Sequence, residues 1–227
     1  MSREMPVSQE NPGNGATGGQ QVGRPRRLST REIVTAAVEI ADEHGLDGLS
    51  MPSLAKHLGV GTMTLYGYVD SKEDLLDKVA ARLFEGLEIR AHDHWRDGLI
   101  AFFTDFREAA LAHPTLARLL ATGRVTIPAV FDILESFFKE ATDDGLPVEE
   151  GVRVFYAGLT YTIGFVLWET PRAHLQHEAA YGDQWDKLIS ELDPAEYPIL
   201  TGPARAVAKT TASNTQFNWG LAQLFSI

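Results

Sequence analysis

The sequence predicts an all-α fold in two parts: an N-terminal three-helix unit built on a helix-turn-helix, and a larger C-terminal helical body. Three observations predict it. Apolar residues recur with a period near 3.6 along the chain, and no segment shows the period-2 alternation of a strand. Capping patterns of Ser followed three residues later by an acid stand at Ser29/Glu32 and Ser71/Asp74. Two short helical patterns flank a glycine-containing turn at Gly59.

The first helix begins at Ser29 or Thr30, runs through Ile33, Ala36, Ala37, Ile40 and Ala41, and stops at Gly45. A short second helix spans about Pro52 to His57, with Leu54, Ala55 and Leu58 on its apolar face and Gly59 as a left-handed terminator. The third covers Thr62 to Tyr68, and the fourth opens near Ser71 before Leu75, Leu76, Val79, Leu83 and Phe84. Further helices are expected at His94–Ala112, Thr115–Leu120, Ile127–Thr142, Val148–Glu169 and Ala212–Phe225, while the Gly- and Pro-containing stretch from Thr170 to Pro203 reads as partly disordered, with a turn of helix within Asp183–Leu192. Residues 1–23, rich in Gly, Gln, Asn and Pro, read as a disordered lead without a signal-peptide core.

Composition removes several function classes. There is no cysteine, which excludes disulfides, thiolate nucleophiles and Cys-based metal sites. The most hydrophobic stretch, Phe155 to Trp168, is short and carries Tyr156, Thr160, Tyr161 and Thr162, so no membrane span is expected and the protein reads as cytoplasmic. A net charge of −11 argues against a nucleic-acid partner until its distribution is read. Residues 24–72 carry six basic and six acidic groups, whereas 73–227 carry thirteen against twenty-three. Arg24, Arg26, Arg27 and Arg31 cluster at one end of the first segment, with Lys72 at the other, which allows a positive face on an acidic protein.

The run Leu54-Ala55-Lys56-His57-Leu58-Gly59-Val60-Gly61-Thr62-Met63-Thr64-Leu65-Tyr66-Gly67-Tyr68-Val69-Asp70-Ser71-Lys72-Glu73-Asp74-Leu75-Leu76 closely resembles the DNA-binding domain of tetracycline-repressor-family regulators. The resemblance implies a DNA-binding domain over 24–80, and an effector-binding and dimerisation domain over 81–227. The third helix would then lie in the major groove of double-stranded operator DNA, with Thr62, Met63 and Tyr66 reading base edges and Thr64 and Tyr68 facing the backbone. Met63 and the threonine methyls suit the thymine methyl group. Lys72, in the first turn of the fourth helix, suits a phosphate, and Thr30 and Arg31 at the start of the first helix join the DNA-binding candidates. Between Val60 and Val69 there is no Arg, Lys, Asn or Gln, so base specificity is expected from apolar contacts and DNA shape. The arm Arg24-Pro25-Arg26-Arg27 reads equally as a minor-groove contact or as a solvated tail.

Farther on, Tyr156 to Leu167 and the closing Phe217-Asn218-Trp219-Gly220-Leu221 resemble the C-terminal domain of the tetracycline-repressor branch, which implies a homodimer through a four-helix bundle. Gly158, Thr162 and Gly164 leave small surfaces for close helix approach, and the last helix puts Phe217, Leu221 and Leu224 on one side. Phe102, Phe103, Phe106, Phe131, Tyr156, Phe165 and Trp168, with Arg107, His113 and Thr160 interspersed, are the candidates for contact with a mostly apolar or aromatic small-molecule effector. No cofactor is called for. A tetracycline–magnesium effector does not match, because Trp168 stands where an acidic ligand is expected and Leu119-Leu120 occupies the region of the histidine.

Two other readings stay open. An enzyme would need a metal on His92 and His94, or on His174, His177 and Glu178; no nucleophile elbow, phosphate loop or metalloprotease helix motif accompanies them. An interaction protein would use the helix-turn-helix as a packing unit only.

Overall fold

The computed structural model describes residues 28–90, 92–123, 127–128, 130–173, 185–208 and 213–226. The basic arm 24–27 and the histidines at 174 and 177 lie outside these residues. Every regular element among them is helical: α1 (Thr30–Gly48), α2 (Met51–Leu58), α3 (Thr62–Leu65), α4 (Lys72–Ala81) with a 3₁₀ turn at Arg82–Phe84, α5 (Trp95–Ala112), α6 (Pro114–Ala121), α7 (Val130–Asp143), α8 (Val148–Ala173), α9 (185–190), α10 (Pro198–Thr201), α11 (Pro203–Ala208) and α12 (Asn214–Leu224).

The N-terminal elements are delimited by local chemistry. Ser29 and Glu32 form a complete capping box, each side chain accepting the other residue's backbone N–H. Regular helix stops at Gly45, whose φ of 73° and ψ of 174° fall outside the helical region, although helical turns resume to Gly48. A second box, Ser50 with Ser53, starts α2 one residue before the expected Pro52; two serines are a weaker sequence signal than Ser with Glu. Gly59 ends α2 in the left-handed conformation at φ 69°. Ser71 caps α4 by accepting the Asp74 N–H at 3.0 Å.

α3 is shorter than its pattern. Regular helix ends at Leu65, and Gly67 and Tyr68 continue through N–H bonds to the carbonyls three residues back, at 3.3 and 2.9 Å. This tighter winding keeps Leu65 and Val69 in the core while Gly67 stays exposed. Ile33, Ala37, Ala41, Leu54, Leu65, Leu75 and Val79 close the small core of α1–α4.

In the body, α8 packs against α5, α6, α7 and α12, so it is the central helix. Its tightest contact lies at Gly158, where an added Cβ would sit 2.2 Å from the Phe103 ring. Gly158 therefore serves packing within the chain, and Thr162 is buried with its hydroxyl donating to the Gly158 carbonyl at 2.7 Å. Gly164 is exposed and faces open space. On α12, Phe217 and Leu221 are fully buried within the chain, while Trp219 and Leu224 are exposed; the outward side of this helix is thus not the side its periodicity suggested. The reason is packing within the chain: Tyr161 and Phe165 of α8 and Arg107 of α5 already enclose Phe217, and Phe103 of α5 lies against Phe225.

Candidate nucleic-acid interface and ligand site

α3 is held from below and bare above. Leu65 is fully buried and Val69 nearly so, which fixes the orientation of the intervening turns. Met63 then stands 80% exposed and Tyr66 45% exposed, with Thr64 exposed and Thr62 half-buried. Tyr68 is half-buried against the core, leaving less of it for a partner than of Met63, Thr64 or Tyr66. Lys72 is exposed at the N-terminus of α4. Asp74 in the same turn is committed locally: it pairs with Lys78 and accepts the Asp70 N–H at 3.0 Å. Those bonds hold its carboxyl below the usual aspartate range, the Lys78 ammonium contributing most. Thr62, Met63, Thr64, Tyr66 and Lys72 thus belong to one continuous segment, whereas Thr30 and Arg31 line a separate cleft of about 460 Å³ with Val34, Lys78, Arg82 and Glu85. His57 pairs with Glu39 of α1 at 3.4 Å and is a surface residue.

The ten effector candidates do not share one cavity. Phe102, Phe103 and Phe106 are buried in a continuous ring cluster that includes Phe84, Phe137 and Phe155, with neighbouring centroids 5.1 to 6.4 Å apart. Rings packed this closely leave no void for a ligand without movement. Phe131 is 63% exposed on α7. His113 lies at the α5–α6 junction, 2.8 Å from Asp42 of α1. Tyr156, Thr160, Phe165 and Trp168 do come together, with Tyr161, Gly164 and Leu224, in an open apolar groove of about 730 Å³ along α8.

Behind that groove lies the body's buried charge. Arg107 is 3% exposed and forms two parallel bonds to Glu169, Nε at 3.0 Å and Nη2 at 2.5 Å, while Nη1 donates to Asn214 at 2.7 Å. Its guanidinium also lies over the rings of Phe165 and Phe217, 5.4 and 5.0 Å from their centroids. One side chain thereby joins α5, α8 and α12. Sequence reasoning singled out Arg107 but missed Glu169 and Asn214; the available signal was a lone arginine on an otherwise apolar face of α5, which requires a buried acid as partner. Beside it, burial pushes the Tyr161 phenol upward, partly countered by Arg107. Gly220 makes room for that phenol, since a Cβ there would lie 2.1 Å from the hydroxyl.

His92 and His94 are not joined by a third ligand: no group of three or more metal-binding side chains occurs among the described residues. No described helix is long and apolar enough to cross a membrane.

Comparison with known proteins matches this architecture in both halves. Residues 33–79 match the bacterial regulatory proteins of the tetR family, and residues 90–226 match the tetracyclin repressor-like C-terminal domain. The chain belongs to the tetracycline-repressor family of transcriptional regulators. A curated relative, the HTH-type transcriptional repressor DrrR1 of Streptomyces coeruleorubidus, is 34% identical over 76% of this chain and 67% of its own. Among solved structures, the TetR-family protein ActR of Streptomyces coelicolor in complex with actinorhodin superposes with a TM-score of 0.75 at 26% identity, over 88% of this chain and 95% of that one. BioQ with its double-stranded DNA operator gives a TM-score of 0.56 at 26% identity, covering 66% of this chain and 92% of that one. TetR-family regulators are helix-turn-helix transcriptional repressors, typically ligand-responsive, and the chain is one of them.

Proposed function

We propose that the protein is a cytoplasmic, homodimeric repressor that is released from its operator by a mostly apolar or aromatic small molecule, and that it is not an enzyme. The DNA-binding part is residues 24–80, and 81–227 bind effector and dimerise. The observation that carries the DNA reading is α3 itself, with Leu65 sealed in the core and Met63, Thr64 and Tyr66 presented outward. BioQ, solved on its operator, shares the fold. Thr62, Met63 and Tyr66 read bases, Thr64 and Tyr68 contact the backbone, and Lys72, Thr30 and Arg31 contact phosphate.

A second copy covers the groove along α8. Tyr156, Trp168 and Leu224 are too exposed and too apolar to be left to water, and an apolar face of this kind marks an interaction surface. A dimer also doubles the contact of a very short recognition helix through paired half-sites. The effector enters beside the dimer contact, where Tyr156, Thr160, Phe165 and Trp168 line the groove, and reaches the layer of Phe102, Phe103, Phe106 and Arg107 behind it only by moving those packed side chains; Phe131 and His113 lie apart from this site. ActR, solved with actinorhodin, supports a small-molecule site in this fold. The effector must bind the DNA-incompetent state more tightly, and by linkage DNA weakens effector binding equally.

Fluorescence anisotropy with duplexes from the region upstream of its own gene tests the reading. Binding should weaken steeply with salt, and Lys72→Ala should weaken every duplex alike, whereas Met63→Ala should change which duplex is preferred. A dimer without affinity for such DNA at low salt would refute it.

A further inference from the structure

The joint between α1–α4 and the helical body contains two kinds of contact. One is apolar: α6 packs on both α1 and α4, and the Phe84 ring stacks on Phe106 with centroids 5.2 Å apart. Apolar burial is non-directional, so it resists separation far more than it resists rotation. The other is directional: Nδ1 of His113 lies 2.8 Å from Oδ2 of Asp42, with the ring N–H donating to the carboxylate.

Both residues are poor choices for the elements that carry them. Asp42 stands in the last regular turn of α1, ahead of the break at Gly45, where the one basic residue, His44, lies against Glu43. A carboxylate there meets the negative end of the helix dipole. His113 ends α5 and precedes α6, yet its side chain makes no capping bond to α6. Ser, Thr, Asp or Asn at that position would satisfy one of α6's free N–H groups. Each residue forgoes local helix stability, and the two meet across the joint. Paired departures from local preference that are resolved only by contact with one another point to a selected contact.

The neighbouring acids on α1 are engaged elsewhere. Glu39 is engaged by His57 at 3.4 Å and Glu43 by His44 at 3.7 Å. Arg118, Thr115 and Thr170 line the adjoining cleft with Asp42 and Gly45. α6, which begins at Pro114 directly after His113, also packs on α5 and α8, so a displacement of those helices is carried to His113.

We propose that His113 and Asp42 are a positioning pair that fixes the angle at which the DNA-reading helices sit on the body, so that movement of α5, α6 and α8 is delivered to α3 as rotation. The functional consequence rests on the repressor reading above, but the geometry is testable without DNA or effector. Because the chain contains no cysteine, M63C/E135C carries only two attachment points for spin labels. Met63 is exposed on α3 and Glu135 on α7. Dilution with unlabelled protein isolates the intrachain distance, which pulsed electron double resonance measures.

The parent should give one narrow distance distribution. H113S and D42A added singly should each widen it about twofold, and the two together should widen it no further, as expected for a single two-partner contact. The thermal midpoint should hold or rise, because both substitutions improve their own helices. Equal widths in all four proteins overturn the proposal. So does widening that adds in the double variant, or a fall in midpoint in both singles, which marks general loosening. Failure of the unsubstituted protein to bind DNA sinks the repressor reading alone and leaves the distance result to decide this one.

Discussion

The N-terminal helices and the helical body are built by opposite means. In α1–α4, ends are set by neighbours in sequence: the boxes at Ser29/Glu32 and Ser50/Ser53, the Ser71 cap and the left-handed Gly59. In the body, the decisive contacts span tens of residues: Arg107 reaches Glu169 and Asn214, Arg96 Nε donates to the Phe225 carbonyl at 2.6 Å, and Phe103 fills the notch at Gly158. The difference suits the two tasks. A DNA reader must present one rigid face, whereas a ligand sensor must join helices by contacts that a bound molecule can re-sort.

The contrast is broken most severely at Arg107. Arg107→Ala strands Glu169 in a buried site and should cost about 3–5 kcal/mol, whereas R107M/E169L should cost much less because neither charge is then left alone. Chemical denaturation of the two variants checks this; equal losses would show that the pair acts only through volume. Next comes Gly158→Ala, which forces a methyl into the Phe103 ring and should cost about 1–3 kcal/mol by overpacking. A neutral result would mean that α5 and α8 slide apart freely. In the N-terminal helices, Ser71→Ala should cost only about 1 kcal/mol, with the loss confined to the start of α4, where hydrogen exchange at Asp74 should rise. The smallest effect is acid sensitivity at the same turn. Asp74 is held below its ordinary range by Lys78 and the Asp70 N–H, so its stabilisation is complete above about pH 4 and fades as pH falls through the lowered folded value. Asp74→Asn should remove that part of the acid transition in a urea melt series.

Legibility followed the same division. The order and type of α1–α8 and α12, Gly59 as a terminator and the outward Met63 were readable because capping and 3.6-residue spacing are local properties, whereas α10 and α11, too short to show a period, were not. The full extent of α3 was not, since the pattern cannot show that its last turn tightens while still burying Val69. The effector candidates were the least legible. Phe102, Phe165 and Phe131 are alike in sequence, yet one is sealed in the core, one lines a groove and one is exposed. An aromatic residue on an amphipathic helix declares that it will be buried somewhere, not what will cover it.

By itself, then, the sequence determined an all-helical chain with a DNA-reading turn between Leu54 and Leu76, because spacing, caps and turn residues act over a few bonds. Tertiary structure alone decided that Gly158 and Phe217 serve the chain's own core, that Arg107 is locked to Glu169 and Asn214, and that His113 meets Asp42 across the joint. Those outcomes depend on which helices become neighbours, and neighbours distant in the chain are chosen by the packing of the whole.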